Sequence, residues 1–462
     1  MVRVMTGPSE TDDGQFQPAD LPEDVKLRGL PWQLAQNALN AVFAYLTVFG
    51  SVFLLFLNEL GLPKAQIGLL LSLLPFCGLL ALGFAPVATR LGRRRVFLVC
   101  WTARKLVIAS LLFLPWVIGR FGHNGGLIFL IAVVAIFAVL RSLAETAWYP
   151  WVQEVVPDRL RGRFGANSTV LSTVASCAAL AVAGQVIKHG TGVDRFMVLI
   201  AAGVVIGLLG VAAMIPVPGG EPRPQTGPQE QHLANMFKSL QDRNFVFYLA
   251  GLGCVTIGTM LYLSFLPLFL KEKLGIAPGV VVTLDTAVMI GGALSSLLWG
   301  RAADRVGSRP VLMSAAALTC LMPLGWLLLP RQASHLTLWC ALLYFVQGIA
   351  ANGGGIGAGR LLLNGVIPPQ QNTAYTALYY AWMGLVGGTA PLLAGELLQA
   401  HGPWQYHYAW VTVDAHTVLF ALAVVLIGAG WVCYGRVRPD GRYRTRDVIH
   451  VISERLLRRL PW

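Results

Sequence analysis

GRAADRVGSRP, residues 300–310, is a short basic loop set between two oily runs, 277–300 and 310–330. An echo of it lies in the first half of the chain. In APVATRLGRRR, residues 85–95, Arg90, Gly92 and Arg94 fall in register with Arg305, Gly307 and Arg309. A second pair repeats at a similar spacing: EVVPDRLRGRFGA (154–166) and GVIPPQQNTAYTA (365–377), where Pro157 matches Pro368. Two separate matches at an offset of about 211 to 215 residues mark a duplicated half.

Outward from these loops the chain is apolar. Its 462 residues are 55% hydrophobic and only 12% charged, too few polar residues to clothe a soluble protein of this size. Runs of roughly 20 apolar residues match the ~30 Å hydrocarbon core at 1.5 Å rise per residue. They are expected at 36–59, 66–88, 96–119, 126–151, 164–188, 195–216, 246–270, 277–300, 310–330, 336–359, 373–398 and 414–434. Strands of a membrane barrel would be shorter and would alternate polar with apolar residues, so the expected fold is an all-α membrane protein with twelve transmembrane helices.

The organisation that follows is a polar N-terminal tail (1–35), a first six-helix bundle (36–216), a linker (217–245), a second six-helix bundle (246–434) and a basic amphipathic tail (435–462). The Pro-, Gly- and Gln-rich stretch 218–245 supplies the linker. The tail suits a helix lying along lipid headgroups, with a soluble-partner helix as the other reading. The acidic N-terminus lacks the basic start and oily core of a signal peptide.

A net charge of +13 raises the question of nucleic acid. Placement answers it: segments 89–95, 158–163 and 300–309 and the Arg-rich tail all fall on one side of the expected spans, which puts both termini in the cytoplasm by the positive-inside rule. No basic and aromatic groove pattern appears, so no nucleic-acid partner is expected. The seven cysteines form no CxxC pair and no Cys/His cluster, so neither a disulfide framework nor a metal site is expected. GIAANGGGIGAGR (348–360) lies within an apolar run and lacks the Lys-Ser/Thr ending of a phosphate loop; its small residues suit close helix packing instead. With no paired nucleophile and base, and no cofactor loop, the chain is not expected to be an enzyme or to need a cofactor.

At residues 300–309 the sequence resembles the G-x-x-x-D-R-x-G-R signature of the major facilitator superfamily of secondary transporters. The stretch 89–95 is similar to a degraded copy, with Ala85 where Gly is usual and Thr89 where Asp is usual, and EVVPDRLRG (154–162) is similar to an element of sugar-porter-like members. The resemblance runs from about Leu30 to Val437 and implies two pseudo-symmetric bundles built from inverted repeats, a site near the bilayer midplane and alternating access. It also implies a cytoplasmic gate at Gly300, Asp304, Arg305, Gly307, Arg309, Arg90, Glu154 and Arg161. Gly300 and Gly307 are expected to allow tight turns and close approach, and Asp304 to face a helix N-terminus and pair with Arg. The competing reading is that these Arg residues only set topology. Because Thr89 replaces the acid, the two halves are expected to be unequal.

Charges inside spans pick out the candidate site. LRSLAETAWYPW (140–151) carries Arg141 and Glu145, four apart and hence on one helix face. A charge at the bilayer centre costs about 2.5–3.5 kcal/mol on insertion scales, so such residues pair, function or both. Arg104 and Lys105 fall at a similar depth in the preceding span and are expected as charge partners, with an interhelix ion pair to Glu145 feasible and Lys105 free to snorkel. In one reading this is a buried network fixing two helices. In the other, Arg141 holds an anionic or polyhydroxyl substrate and Glu145 is a protonatable carboxylate. Arg141 resembles the Arg of an R-x-x-Q-G pattern found in exporter groups, which Ala144 and Glu145 do not continue. Asp285 is a coupling site or a polar contact near the outer mouth. Asn37, Asn40, Tyr45, Tyr379, Tyr380 and Trp382 offer hydrogen bonds and ring faces to a cavity.

The expectation is therefore a monomeric, multi-pass protein of the cell (inner) membrane that moves a small organic solute, sugar-like in its motifs and with protons as the coupling ion. The alternatives are an exporter of drugs or amphipathic lipids, for which the Gly-Pro signature is missing from 167–184, and a non-transporting receptor or assembly factor on the same scaffold.

Overall fold

The computed structural model describes residues 22–79, 90–222, 239–329, 335–367, 372–401, 405–408 and 411–440. Residues 85–89, most of the linker, Pro368 and the tail beyond residue 440 lie outside the described residues.

Among the described residues the fold is helical, apart from one hairpin. The first helix, α1 (Glu23–Thr47), starts well before residue 36 and runs through Pro31. It stops where Gly50 takes φ +68, a conformation that L side chains rarely adopt, and α2 (Gly50–Glu59) continues the crossing. Helix α3 spans Lys64–Gly78 and α4 spans Arg93–Ala109. A 3-10 turn, Ser110–Phe113, leads into α5 (Leu114–Val155). Then follow α6 (Arg161–His189) and α7 (Asp194–Met214). The second half holds α8 (Arg243–Leu263), α9 (Leu266–Glu272), α10 (Pro278–Val306), α11 (Ser308–Leu328), α12 (Leu336–Leu361), α13 (Asn372–Ala400) and α14 (Ala415–Arg436).

Ten stretches of the described residues are long and apolar enough to cross a membrane, and Lys64–Gly78 is a shorter apolar helix. One of the ten, Arg93–Val155, is 63 residues long. At 1.5 Å per residue a straight helix of that length would reach about three bilayer thicknesses. It does not run straight: Gly122 takes φ 72 and ψ −177, outside the helical region, and divides the stretch into two helices at a kink.

An all-helical expectation missed a small feature near the end of the chain. Strands β1 (Gln405–Tyr408) and β2 (Val411–Asp414) form an antiparallel hairpin in which Gln405 pairs with Asp414. Asp414 then caps α14 through a reciprocal bond with Thr417, which fixes where the last helix begins.

Packing divides by halves. In the first, α1 packs on α6 and α7, α4 on α5 and α7, and α3 on α5; in the second, α10 packs on α12, α8 on α13 and α14, and α11 on α12 and α14. The halves meet mainly through α3 against α13 and α6 against α10, with α2 touching α9 and α10. Small residues permit both main crossings. A Cβ on Gly279 of α10 would collide with the Gly184 carbonyl of α6, and a Cβ on Gly395 of α13 would sit 2.6 Å from the Lys64 carbonyl of α3.

Candidate functional site

On α5, Arg141, Glu145 and Tyr149 follow one another at four-residue spacing and make a polar stripe along a span that is otherwise apolar. Arg141 Nε donates to Glu145 Oε1 at 2.7 Å, and the side chains remain 31% and 41% exposed. The stripe does not share the helix's outward apolar face. Ile136, 49% exposed, is five residues before Arg141, which places them about 140° apart around the helix.

The stripe instead looks onto the meeting of the halves. The Arg141 guanidinium lies 5.0 Å from the centre of the Phe49 ring, at the break between α1 and α2. Tyr149 is exposed and within electrostatic reach of both Glu145 and Tyr380, which belongs to α13 of the other half. Tyr379 and Tyr380 meet edge to face at 5.1 Å. A charged pair half open at mid-span points to a polar cleft, since lipid-facing charges are rare.

Behind this wall Arg104 and Lys105 depart from expectation. Neither pairs with Glu145, and Lys105 does not snorkel: it is fully buried, and Arg104 is 3% exposed. Arg104 Nη2 and Lys105 Nζ both donate to Asn40 Oδ1, at 2.5 and 2.9 Å. Aromatic faces complete the enclosure. The Arg104 guanidinium stacks 3.3 Å from the Trp101 ring centre, Lys105 Nζ is 3.4 Å from that of Phe43, and Phe137 lies 5.4 Å from Arg104. The ring quadrupoles take the place of a counter-charge that Glu145, bound to Arg141, does not provide. Asn40 is accordingly engaged by both cations, and Asn37 donates to Ser168 of α6 at 2.8 Å.

The end of the molecule away from the Arg-rich loops is closed. Asp285 of α10 accepts from the Ser51 backbone N–H at 3.0 Å and from its hydroxyl at 2.9 Å. Ser51 sits in the first turn of α2, so a carboxylate from one half caps a helix N-terminus in the other. The turn leaves room for it: a Cβ on Gly50 would lie 3.1 Å from Asp285 Oδ2 and 3.4 Å from the Tyr45 ring. Farther out, Lys64 pairs with Glu272 at 2.7 Å, and Lys271 donates to Asn58 at 2.5 Å. Arg195 meets Glu59 at 3.0 Å. A cavity of about 150 Å³ lies among Lys64, Glu272, Lys273, Leu398, Ala415 and His416.

At the Arg-rich end, among the described residues, the expected gate residues make these contacts inside their own halves. Asp304 pairs with Arg360 at 2.7 Å, joining α10 to α12. Arg309 donates to the carbonyls of Tyr434 and Gly435 at the end of α14. Asp440 accepts from the backbone N–H groups of Ser308 and Arg309. In the first half Glu154 meets Arg93 at 3.5 Å and the Gly220 N–H at 3.4 Å, while Arg161 donates to the Gln153 carbonyl. Arg90 and Arg305 are exposed. Gly307 makes the turn between α10 and α11 with φ +94. Gly300 departs from expectation: it lies within α10 with open space where a Cβ would stand, so it neither turns the chain nor brings helices together. Trp382 ties α13 to α8 by donating to the Leu249 carbonyl at 2.8 Å, a contact within one half.

The sequence reading passed over Phe49, Ser51, Tyr149 and the outer ion pairs. Tyr149 was within reach, since the four-residue step from Arg141 to Glu145 leads to it. The small pair Gly50–Ser51 inside TVFGSVF signals a helix break but not the partner that reads it.

Residues 86–354 match the family described as MFS/sugar transport protein, and residues 248–461 match the Major Facilitator Superfamily. The chain is 23% identical over 389 residues to the ectoine/proline transporter ProP of Corynebacterium glutamicum, covering 78% of this chain and 75% of that one. The crystal structure of a D-xylose-proton symporter superposes with a TM-score of 0.66 at 14% identity, covering 90% of this chain and 98% of its own. That of the nucleoside transporter NupG superposes with 0.64 at 15% identity, over 90% and 100%. With a family match over more than half its length and the same fold in solved transporters, this chain is a multi-pass membrane transporter, not an enzyme, and belongs to the major facilitator superfamily.

Proposed function

We propose that the chain is a secondary active transporter that moves a small polar organic solute by alternating access, with Glu145 as the proton-coupling carboxylate. The ten long apolar stretches, with Arg93–Val155 crossing twice and Lys64–Gly78 adding one more, support twelve spans in two six-helix bundles. The excess of Arg on the loops at one end supports both termini lying in the cytoplasm of a cell with this protein in its inner membrane. In that orientation the contacts of Asp285 with Ser51 and of Lys64 with Glu272 lie on the outside, which supports a cleft that faces inward.

The observation that carries this reading is the Arg141–Glu145 pair, held at 2.7 Å and partly exposed within a span, with Tyr149 on the same stripe in reach of Tyr380 of the other half. The names of the relatives are consistent with small polar solutes, ectoine and proline in one case and xylose with protons in another. The test is uptake into proteoliposomes holding the purified protein, with and without an imposed proton gradient. Gradient-driven accumulation that is lost in Glu145→Gln supports the reading. Accumulation that survives this substitution removes Glu145 from coupling, and absence of flux for every solute tried favours a non-transporting role.

A further inference from the structure

We infer that the cleft is built for a solute of net negative charge, whose carboxylate or phosphate group binds Arg141. This deepens the transport reading and rests on it for the location of the site.

The argument is a charge count inside one small region. Arg104, Lys105 and Arg141 cluster between α1, α4 and α5, and among the described residues Glu145 is the carboxylate beside them. Among the described residues no carboxylate lies within ion-pair distance of Arg104 or Lys105; both lean on the single neutral oxygen of Asn40. Hydrogen bonding is incomplete as well. Arg104 Nε, a donor, is buried without a partner. Buried polar atoms ordinarily find partners, and this one leaves the cations short of an acceptor.

A neutral sugar would leave that surplus of positive charge in place when the cleft closes over it. A zwitterion would leave the count unchanged. An oxyanion reduces it, and the planar fork of Arg141 matches two oxygens of a carboxylate or phosphate. Glu145 holds Arg141 now, so an incoming anion competes with it for the same guanidinium. Protonation of Glu145, which moves one proton onto its carboxylate and breaks no other bond, frees Arg141 for the solute. Phe137 lies 5.4 Å from the Arg104 guanidinium and Phe49 5.0 Å from that of Arg141, so ring faces line the wall on both sides.

The experiment is ligand binding to the purified full-length protein, read by thermal shift and by Trp fluorescence, since Trp101 lies against Arg104. The probes are lactate, glutarate and glycerol 3-phosphate as oxyanions, proline as a zwitterion and xylose as a neutral solute. At least one oxyanion is expected to bind, weakened about tenfold or more in Arg141→Gln and tightened about tenfold in Glu145→Gln, as charged hydrogen bonds dictate. Arg141→Lys falls between, because it keeps charge and loses the fork. The carboxylate and phosphate arms decide which oxyanion is preferred. Binding of xylose or proline without any oxyanion response, no oxyanion response at all, or oxyanion binding indifferent to Arg141→Gln would each overturn the inference. Gradient-driven flux of a neutral solute would overturn it while leaving the transport reading intact; cluster-dependent oxyanion binding without flux would do the reverse.

Discussion

Asp285 on α10 accepts two hydrogen bonds from Ser51, 234 residues earlier in the chain, and so fastens the broken first crossing of one half to the other. The carboxylate meets the N-terminal turn of α2, where backbone N–H groups and the helix dipole favour negative charge. This contact sits beside the glycine crossing of α6 and α10 and just inside the ion pairs of the closed end.

Removing the charge should loosen that end. Charge-assisted hydrogen bonds contribute about 1.5–3 kcal/mol, so Asp285→Asn is expected to shift the opening equilibrium by about tenfold or more. The check is modification of a cysteine introduced at Asn58, in a background without the seven native cysteines, by a membrane-impermeant maleimide. Labelling should rise in Asp285→Asn and in Ser51→Ala; unchanged labelling would mean the contact does not hold the closure.

The glycine crossing makes a complementary prediction. A side chain at Gly279 meets the Gly184 carbonyl, so Gly279→Leu should prevent this end from closing. Flux is expected to fall at least tenfold while the protein still folds and inserts, because the buried clusters around Phe97 and around Tyr248 each lie within one half. Measured flux in proteoliposomes, with thermal unfolding as the folding control, decides it.

Lys105 separates stability from function. Full burial without a carboxylate makes its charge a burden, and Lys105→Met of similar length is expected to be neutral to about 2 kcal/mol stabilising. Transport should nevertheless drop, since the positive surplus of the cleft is reduced. A thermal melt together with flux reads both; loss of stability with unchanged flux would place Lys105 in the scaffold alone.

Much of this was legible in the sequence, and the reasons differ from residue to residue. The repeated loops gave the two halves because Gly and Arg punctuate the ends of apolar runs, a local signal. Arg141 and Glu145 were visible because charge inside an oily run is costly wherever it stands. Arg104 and Lys105 are visible as buried charges but their partner is not: helical counting yields depth, not azimuth, and the packing of α1 and α4 together on α7 brings Asn40 to them. Gly300 was misread because a motif position does not say whether a neighbour approaches; here none does. The Asp285–Ser51 contact joins residues from different halves and has no local trace at all.

Outside the membrane, Asp440 ties the segment after α14 to the start of α11. Burial alone would push its carboxyl up, but hydrogen bonds from Ser308 and from the Arg309 N–H outweigh it and hold the group below its ordinary value of 3.8. A depressed folded-state value means the contact stabilises fully above the ordinary value and is lost as pH falls through the lower one. Amide exchange at Ser308 and Arg309, corrected for intrinsic rate, should accelerate in that acid window. In Asp440→Asn the acceleration should already be present at neutral pH.

The central claim is that the two halves rock about the cleft that holds Arg141 and Glu145. Electron–electron distance measurements on two spin-label pairs test it directly: one pair at Asn58 and Lys273 on the closed end, the other at Arg163 and Arg305 on the Arg-rich end. The account predicts two populations with opposite trends, the first distance lengthening as the second shortens, and a shift between them in Asp285→Asn and Gly279→Leu. Distances that stay fixed at both ends, or that lengthen together, would contradict it.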